Sequence, residues 1–554
     1  MKVVIFSGGS GSTEIQKGLM QYPEIDVDII VNGYDNGKST GAIRKMFNGK
    51  ILGPSDIRKN QFNQYKLQYK DSKLTEFLDY RFTSEHPKNF IEEYWQRKNI
   101  PSFFRDVVNR YFNNPKTNNI VYEDFSIGNI IYGQLAHENN NSMQAAADII
   151  RKQLNIKNRI LVNSDESLFL YAECEDGNFL YDEADIVEHN SKNRIKDIGF
   201  FKDSEKVTHS TFNEETIESV NNADIIIFSS GTQWSSLIPT YKSYNGDLSF
   251  KDLILASKAD KCLVMNSTND KDMIDSDAND ILNILERYLN MHDIKTVIDK
   301  DAVEGLNTVN GYNNISFSLS GNNDKHNGNL LIDSILKDYY GYPTNKDLFI
   351  FDWDDTIKAR KNKHLDISKS NIKKVKNIDS IIVTGNTHHG IDMSRVYADA
   401  GINLYKDGTF KYCVNKSLSI DKYFIDIKKI INDIGFDDSK IQNRGNTCIS
   451  IKPLDNEYRK AICRLLNILI PENLVAKING NTTIDIMNKE TDKIFSVKEI
   501  INNNRERRVY YIGDEYEEGN DSTIYNLKND IGLEKFIKVN SVFDTKLFLK
   551  LIEE

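Results

Sequence analysis

LFIFDWDDT, residues Leu348–Thr356, decides the fold of the C-terminal part of the chain. Four apolar residues form a strand that delivers Asp352 and Asp354 at its carboxyl end. Side chains alternate along an extended chain, so the two carboxylates emerge on one side with Trp353 between them. A buried strand ending in paired carboxylates suits covalent phosphoryl transfer. One Asp attacks phosphorus and forms an aspartyl-phosphate; the other protonates the leaving oxygen and then activates water. By itself such a pair also serves as a strand-end cap. Three further segments, in order, point to chemistry. SIIVTGN (Ser380–Asn386) ends a strand at Thr384, whose hydroxyl can bond phosphoryl oxygens, with Gly385 and Asn386 following on the substrate side. TIDIMNKETDK (Thr483–Lys493) supplies Lys493, a cation to offset charge on nucleophile and phosphate. VYYIGDEYEEGND (Val509–Asp521) ends a strand at Asp514, then gives Asn520 and Asp521, hard oxygen ligands fit for magnesium.

These segments together resemble the haloacid dehalogenase superfamily, nearest its eukaryotic-type phosphomannomutase and sugar phosphatase branch. YKDGTF (Tyr405–Phe410) and RGNTCISIKPL (Arg444–Leu454) are similar to segments of that branch. The resemblance implies Asp352 as nucleophile, Asp354 as acid and base, and Mg2+ held by Asp352, Asp514 and the Asp354 carbonyl. It also implies an inserted α/β cap over roughly residues 400–488 and a small phosphate ester as substrate. Asp355 stands where the family carries Gly, and Arg360 and Arg444 are the candidates for substrate arginines. Phosphatase and phosphomutase chemistry both remain open.

Outward from this region, a separate series of β-branched runs precedes it: Val3–Phe6, Val27–Ile30, Ala223–Phe228 and Cys262–Met265. Strands alternating with helical patterns give α/β architecture with parallel sheets. The expected domains are 1–342 and 343–554, with the boundary near Tyr342–Lys346. VVIFSGGSGSTEIQKGL (Val3–Leu19) is a strand, a glycine-rich turn and a helix, an arrangement that brings backbone N–H groups to a phosphate. NGKST (Asn36–Thr40) ends like a P-loop, but Asn32 occupies the position that needs Gly.

The glycine-rich turn is followed by YDNGKSTGAIR (Tyr34–Arg44), GPSDIRKN (Gly53–Asn60), DFSIGNIIYG (Asp124–Gly133), LYDEADIV (Leu180–Val187) and ADIIIFSSGTQWSSLIPT (Ala223–Thr240). In this order they resemble the phospholactate transferase and gluconeogenesis-factor superfamily. The resemblance implies a Rossmann-like domain that binds a nucleoside diphosphate derivative, a UDP-sugar or a GDP-linked donor. Gly8, Gly9, Ser10, Gly11 and Ser12 are expected along the diphosphate. Asp35, Asn36, Lys38, Ser39, Asp56, Arg58, Asn60 and Asn129 complete the site, with Ser229, Ser230, Gly231 and Thr232 as a second small-residue loop. Asn36 replaces the second acidic residue of the family pair, and Lys38 replaces a Gly and adds a cation.

Among 554 residues, 71 Lys and Arg against 81 Asp and Glu give a net charge of -10, which offers no global case for nucleic-acid or membrane-surface binding. Five scattered cysteines without a CxxC pair fit reduced thiols. A cytoplasmic protein is expected, with a homodimer as a further expectation. The resulting reading is a bifunctional enzyme, a Mg-dependent phosphatase joined to a transferase-like domain. Two alternatives stand beside it: a UDP-sugar-sensing domain that regulates the phosphatase, and a sugar phosphomutase.

Overall fold

The computed structural model describes residues 1–69, 73–83, 100–189, 193–273, 276–317, 326–360, 364–386, 388–436, 440–444, 446–453, 456–479, 483–514, 517 and 519–553. The side chains of Lys38, Asn119, Lys271, Asn456, Asn479 and Glu553 lie outside the described residues, so the expectation for Lys38 falls there. The chain divides into two compact units, Met1–Tyr339 and Tyr340–Glu554.

In the first unit seven strands form one sheet: β1 (Lys2–Ser7), β2 (Asp26–Val31), β3 (Arg159–Val162), β4 (Ile225–Phe228), β5 (Asp260–Val264), β6 (Lys295–Asp299) and β7 (Asn314–Phe317). Their order is β7-β6-β5-β4-β1-β2-β3, and every neighbouring pair is parallel. Val3–Phe6 and Ile225–Phe228 are wholly buried, as strands covered on both faces must be, which is why they read as unbroken apolar runs. The helices include α1 (Thr13–Leu19), α2 (Lys38–Met46), α3 (Ser55–Tyr69), α4 (Ile127–Glu138) and α5 (Gly328–Tyr339). A Cβ at Gly18 would stand 2.0 Å from the Gly328 carbonyl oxygen, so only glycine lets α1 and α5 pack this closely. NGKST does lie between a strand and a helix, with Gly37 as the N-cap of α2. The strand order reverses direction between β1 and β4, where a doubly wound sheet opens a crevice beyond its carboxyl ends.

The second unit has its own mixed sheet. Its strands are β8 (Leu348–Phe351), β9 (Ser380–Val383), β10 (Arg395–Ala398), β11 (Asn403–Lys406) and β12 (Thr409–Cys413), with two more that return after a long insertion. The insertion is a four-stranded antiparallel sheet of β13 (Lys440–Arg444), β14 (Cys448–Lys452), β15 (Leu474–Asn479) and β16 (Thr483–Asn488), in the order β13-β14-β16-β15. Helices α6 (Phe424–Asp433) and α7 (Arg459–Leu469) cover one of its faces through Ile427, Ile431, Ile462 and Leu466, packed on Ile449, Ile451, Ile484 and Ile486. After α8 (Ile494–Asn502) the chain returns as β17 (Val509–Gly513) and β18 (Lys535–Lys538), giving the core order β12-β11-β10-β9-β8-β17-β18. Asn403–Cys413 thus extends the core sheet, although it falls within the span expected for the cap. Each residue of Leu348–Phe351 is fully buried, worth about 1.5–3 kcal/mol per side chain. This fixes the position of the carboxylates that follow.

Candidate functional site

Two sites emerge, one at the carboxyl ends of the parallel strands of each unit's main sheet. In the second unit β8 ends in Asp352, whose N–H donates to the Ile512 carbonyl at 2.9 Å. Lys493, at the N-terminus of α8, reaches it from the far side of the inserted sheet in sequence. Its Nζ lies 2.7 Å from Asp352 Oδ1, 2.8 Å from Asp521 Oδ1 and 2.6 Å from Asn520 Oδ1. All three charged groups are buried, Lys493 to 2% exposure. Burial works against the ammonium, yet Asp352 and Asp521 outweigh it and raise its pKa. Burial, against the opposing pull of Lys493, pushes both Asp352 and Asp521 up to about 6.

Asp352, Asp514 and Asp521 offer carboxylate oxygens that all lie within 4.8 Å of one another. Asp521 Oδ1 accepts from Lys493 and from the Tyr511 hydroxyl at 2.7 Å, whereas its buried Oδ2 has no hydrogen-bond partner among the described residues. The side chain of Asp354 is outside this trio and is held by Asn386 Nδ2. Burial raises the Asp354 carboxyl, with Arg360 the strongest opposing charge. Thr384 is buried, and its Oγ1 accepts from the Asn386 N–H at 3.2 Å.

Asp355 has φ 55°, so it takes the left-handed conformation that the expected Gly would supply, a conformation Asp tolerates better than most residues. Its Oδ1 accepts from the Arg360 N–H at 2.8 Å and its Oδ2 lies 3.4 Å from Arg360 Nε, so Arg360 is tied to the loop. Arg444 does not stand free for substrate: its Nη1 donates to Ser450 Oγ at 3.0 Å and pairs with buried Asp485 at 3.5 Å within the inserted sheet.

In the first unit a cavity of about 600 Å³ opens at the sheet's switch point. Gly8, Gly9, Ser10 and Gly11 line it after β1, and Ser230, Gly231 and Thr232 after β4. A Cβ at Gly11 would fall 2.0 Å from the Ser230 carbonyl oxygen, so glycine lets the two loops meet. Asp35, Ser39 and Asp56 also line the cavity.

Several expected ligand contacts lie behind these walls instead. Ser12 and Asn60 are fully buried. Asn60 Nδ2 donates to the Gly8 carbonyl at 2.7 Å, and its Oδ1 accepts from Ser7, Ser12 and Gln16, which bolts the glycine-rich turn to α3. Arg58 points away from the cavity, donating to Asn129 Oδ1 at 3.0 Å and Asp79 Oδ1 at 2.7 Å. Asn129 in turn donates to Ser39 and Thr40 at 3.0 and 3.2 Å, so it positions cavity residues and is itself covered. Asn36 and Ser229 are not in the cavity lining, and Asn36 Oδ1 and Ser229 Oγ are buried without partners among the described residues.

Lys59, Arg81, Glu183, Asn266, Asp270 and His326 line the cavity without having been anticipated. Helical geometry offers a signal for Lys59. At about 100° per residue, Lys59 lies about 60° from Asp56 around α3, whereas Arg58 lies about 160° away. Asn266 directly follows the strand run Cys262–Met265, the same strand-end position that identifies Asp352. Glu183 is hydrogen-bonded to Asp35. Burial, then the negative charges of Asp35 and Asp56, push its carboxyl up to about 9. Glu183 thereby supplies beside Asp35 the second carboxyl that Asn36 lacks. Burial also raises Asp56, against the pull of Lys59.

The profile of a family described as 2-phospho-L-lactate transferase CofD matches residues 3–314. A gluconeogenesis-factor relative from Thermotoga maritima is 28% identical over 290 residues, covering 52% of this chain and 76% of its own length. A solved member of the upf0052 family from Bacillus halodurans is similar at 19% identity, over 60% of this chain and 99% of that one, with a TM-score of 0.47. A haloacid dehalogenase-like hydrolase from Bacteroides thetaiotaomicron is similar at 12% identity, over 38% of this chain and 98% of that one, with a TM-score of 0.29. Among the described residues no helix is long and apolar enough to cross a membrane.

Proposed function

The chain belongs to the 2-phospho-L-lactate transferase CofD family, and we propose from that premise that it is a two-site enzyme. The second unit releases phosphate from a small phosphate ester through an aspartyl-phosphate on Asp352. The first unit binds a nucleoside diphosphate derivative in its glycine-lined cavity.

The observation that carries the phosphatase reading is the convergence of Asp352, Asp514 and Asp521, with Lys493 paired to the first and the last of them. The trio fits a hard divalent cation: three carboxylates meet, and the buried Asp521 Oδ2 has no donor among the described residues. Asp352, Asp514 and Asp521 would hold Mg2+, which when bound supplies charge compensation for the phosphoryl group. The remaining steps belong to the chain itself. Lys493 fixes Asp352 Oδ1, which orients the other oxygen for attack on phosphorus. Asp354, whose carboxyl burial raises and Asn386 holds, gives a proton to the leaving oxygen and takes one back from water in the second half-reaction. Thr384 accepts from a backbone N–H, so its own hydrogen is directed to a phosphoryl oxygen.

Asp352→Asn preserves shape and removes the nucleophile. Turnover of a generic phosphate ester in Mg2+ is expected to fall more than tenfold, and retention above about a tenth, a barrier change under about 1.4 kcal/mol, sinks the assignment. For the first unit, the support is a glycine-lined turn and a helix N-terminus at the sheet's switch point. Calorimetry with UDP-sugars and GDP-sugars in Mg2+ decides it: binding to none of them removes the reading. The Asp35–Glu183 carboxyl pair, in which burial and the neighbouring charges keep a proton on Glu183, favours a catalytic role over a purely sensing one, since a sensor has no need of a proton donor beside the phosphates.

A further inference from the structure

A second cavity of the first unit, about 300 Å³, has a lining distinct from that of the glycine-lined one. Trp234, Met273 and Ile284 give it apolar walls, and Asp272 and Arg287 bring opposite charges to it. Asp272 is 3% exposed. Its Oδ2 accepts from the Trp234 N–H at 3.0 Å, which accounts for one oxygen as a cap on the turn that follows β4. The other oxygen, Oδ1, has no hydrogen-bond partner among the described residues, and a charged neighbour, Asp270, is another carboxylate. Burial, then the charge of Asp270, pushes this carboxyl up to about 7, against the backbone N–H groups of Trp234, Asp272 and Ser235; among the described residues no cation opposes the rise.

Arg287 is the complementary case. Its Nε donates to the Ile284 carbonyl at 3.3 Å and its Nη1 to the Lys196 carbonyl at 2.9 Å, with the guanidinium 5.6 Å from the Trp234 ring centroid. Two main-chain carbonyls and an indole hold it in place, while no carboxylate pairs with it and Nη2 makes no hydrogen bond among the described residues. A neighbouring cation in the lining, Arg194, by contrast has Asp280 at 3.6 Å. Among the described residues, one cavity therefore presents a buried acceptor that lacks a donor and, at its exposed side, an anchored cation that lacks an anion.

We infer that this cavity receives a small zwitterion, an α-amino acid in chemical class. Its ammonium group donates to Asp272 Oδ1, and its carboxylate takes the open edge of Arg287. Its side chain lies against Trp234, Met273 and Ile284. The volume is that of a small-metabolite pocket.

The test is thermal shift followed by calorimetry on the full chain with the proteinogenic α-amino acids, each compared with its N-acetyl and carboxamide derivatives. At least one free amino acid is expected to bind saturably, and each derivative, which lacks one of the two charges, about tenfold or more weaker. Arg287→Met and Asp272→Asn should each weaken binding by a similar factor, with circular dichroism confirming their fold. Gly9→Val, which crowds the other cavity, should leave it within about twofold. The inference fails if no amino acid binds or if an N-acetyl derivative binds as well as the free form. It fails equally if Gly9→Val abolishes binding that Arg287→Met retains.

Discussion

Lys493→Met keeps the volume of a buried side chain and removes the charge that links Asp352 to Asp521. Breaking a buried ion pair from one side costs about 3–5 kcal/mol, because the remaining charge is left in a poor medium. Here two carboxylates remain, both already pushed up to about 6 with the ammonium present. Without it they rise further and take up protons, which relieves part of the cost at low pH. An acid whose folded pKa lies above its unfolded value of about 3.9 binds more protons folded than unfolded. Stability therefore falls as pH rises through that interval, at up to about 1.4 kcal/mol per pH unit for each group. In the wild type this fall ends near pH 6, at the folded values; in the variant it continues above. The difference between variant and wild type should be small near pH 5 and approach about 3–5 kcal/mol near pH 8. Hydrogen exchange of the Leu348–Thr356 amides, measured with chelator at both pH values, reads this locally. A difference below about 1 kcal/mol at the higher pH, or one that does not change with pH, refutes the reasoning.

Asp514→Ala should raise the Mg2+ concentration needed for half-maximal phosphate release by about tenfold or more, and shrink the Mg2+-induced rise in Tm; an unchanged metal titration would count against the trio. Arg58→Met should lower stability by about 2 kcal/mol through loss of its bonds to Asn129 and Asp79, with a smaller effect on nucleotide affinity than Lys59→Ala. Calorimetry and urea denaturation together separate those effects. Gly11→Ala should weaken nucleoside diphosphate binding by about tenfold or more, since its Cβ forces apart the loops that follow β1 and β4; unaltered binding would show that the loops need not meet.

Strands buried on both faces were legible because burial leaves no room for polar residues: Val3–Phe6, Leu348–Phe351 and Val509–Ile512 read as apolar runs. β3, β6 and β7 were harder, since Arg159, Lys295 and Asn314 sit at their edges and shorten the pattern. Asp352 and Asp514 were legible as strand ends, Lys493 and Asp521 by their order in the segments that follow, and the structure brings the four together. Direction was what the sequence hid in the first unit. Arg58 looks like a phosphate ligand until α3 is built, whereupon Asp56 and Lys59 share the cavity side and Arg58 turns to Asn129. Asn60 reads as a contact when it is in fact a strut, because residue type does not say which side of a turn a side chain supports. Glu183 was hidden by distance along the chain: nothing local to Leu180–Val187 announces that Asp35 waits beside it.

The insertion of a complete antiparallel sheet between β12 and β17 also governs the order of assembly. β8 pairs with β17 on one side, yet Ile512 is made 161 residues after Phe351. At synthesis rates of about 5–20 residues per second, β8 waits about 8–30 s with a bare edge of hydrogen-bonding groups. Lys493 and β17 arrive only after the insertion has been made. If the inserted sheet folds by itself as it emerges, it draws its two ends together and shortens the effective loop that must close. The inserted sheet would then act as an internal template for its own host, and the cluster of Asp352, Lys493, Asp514 and Asp521 would close only after that sheet has been made.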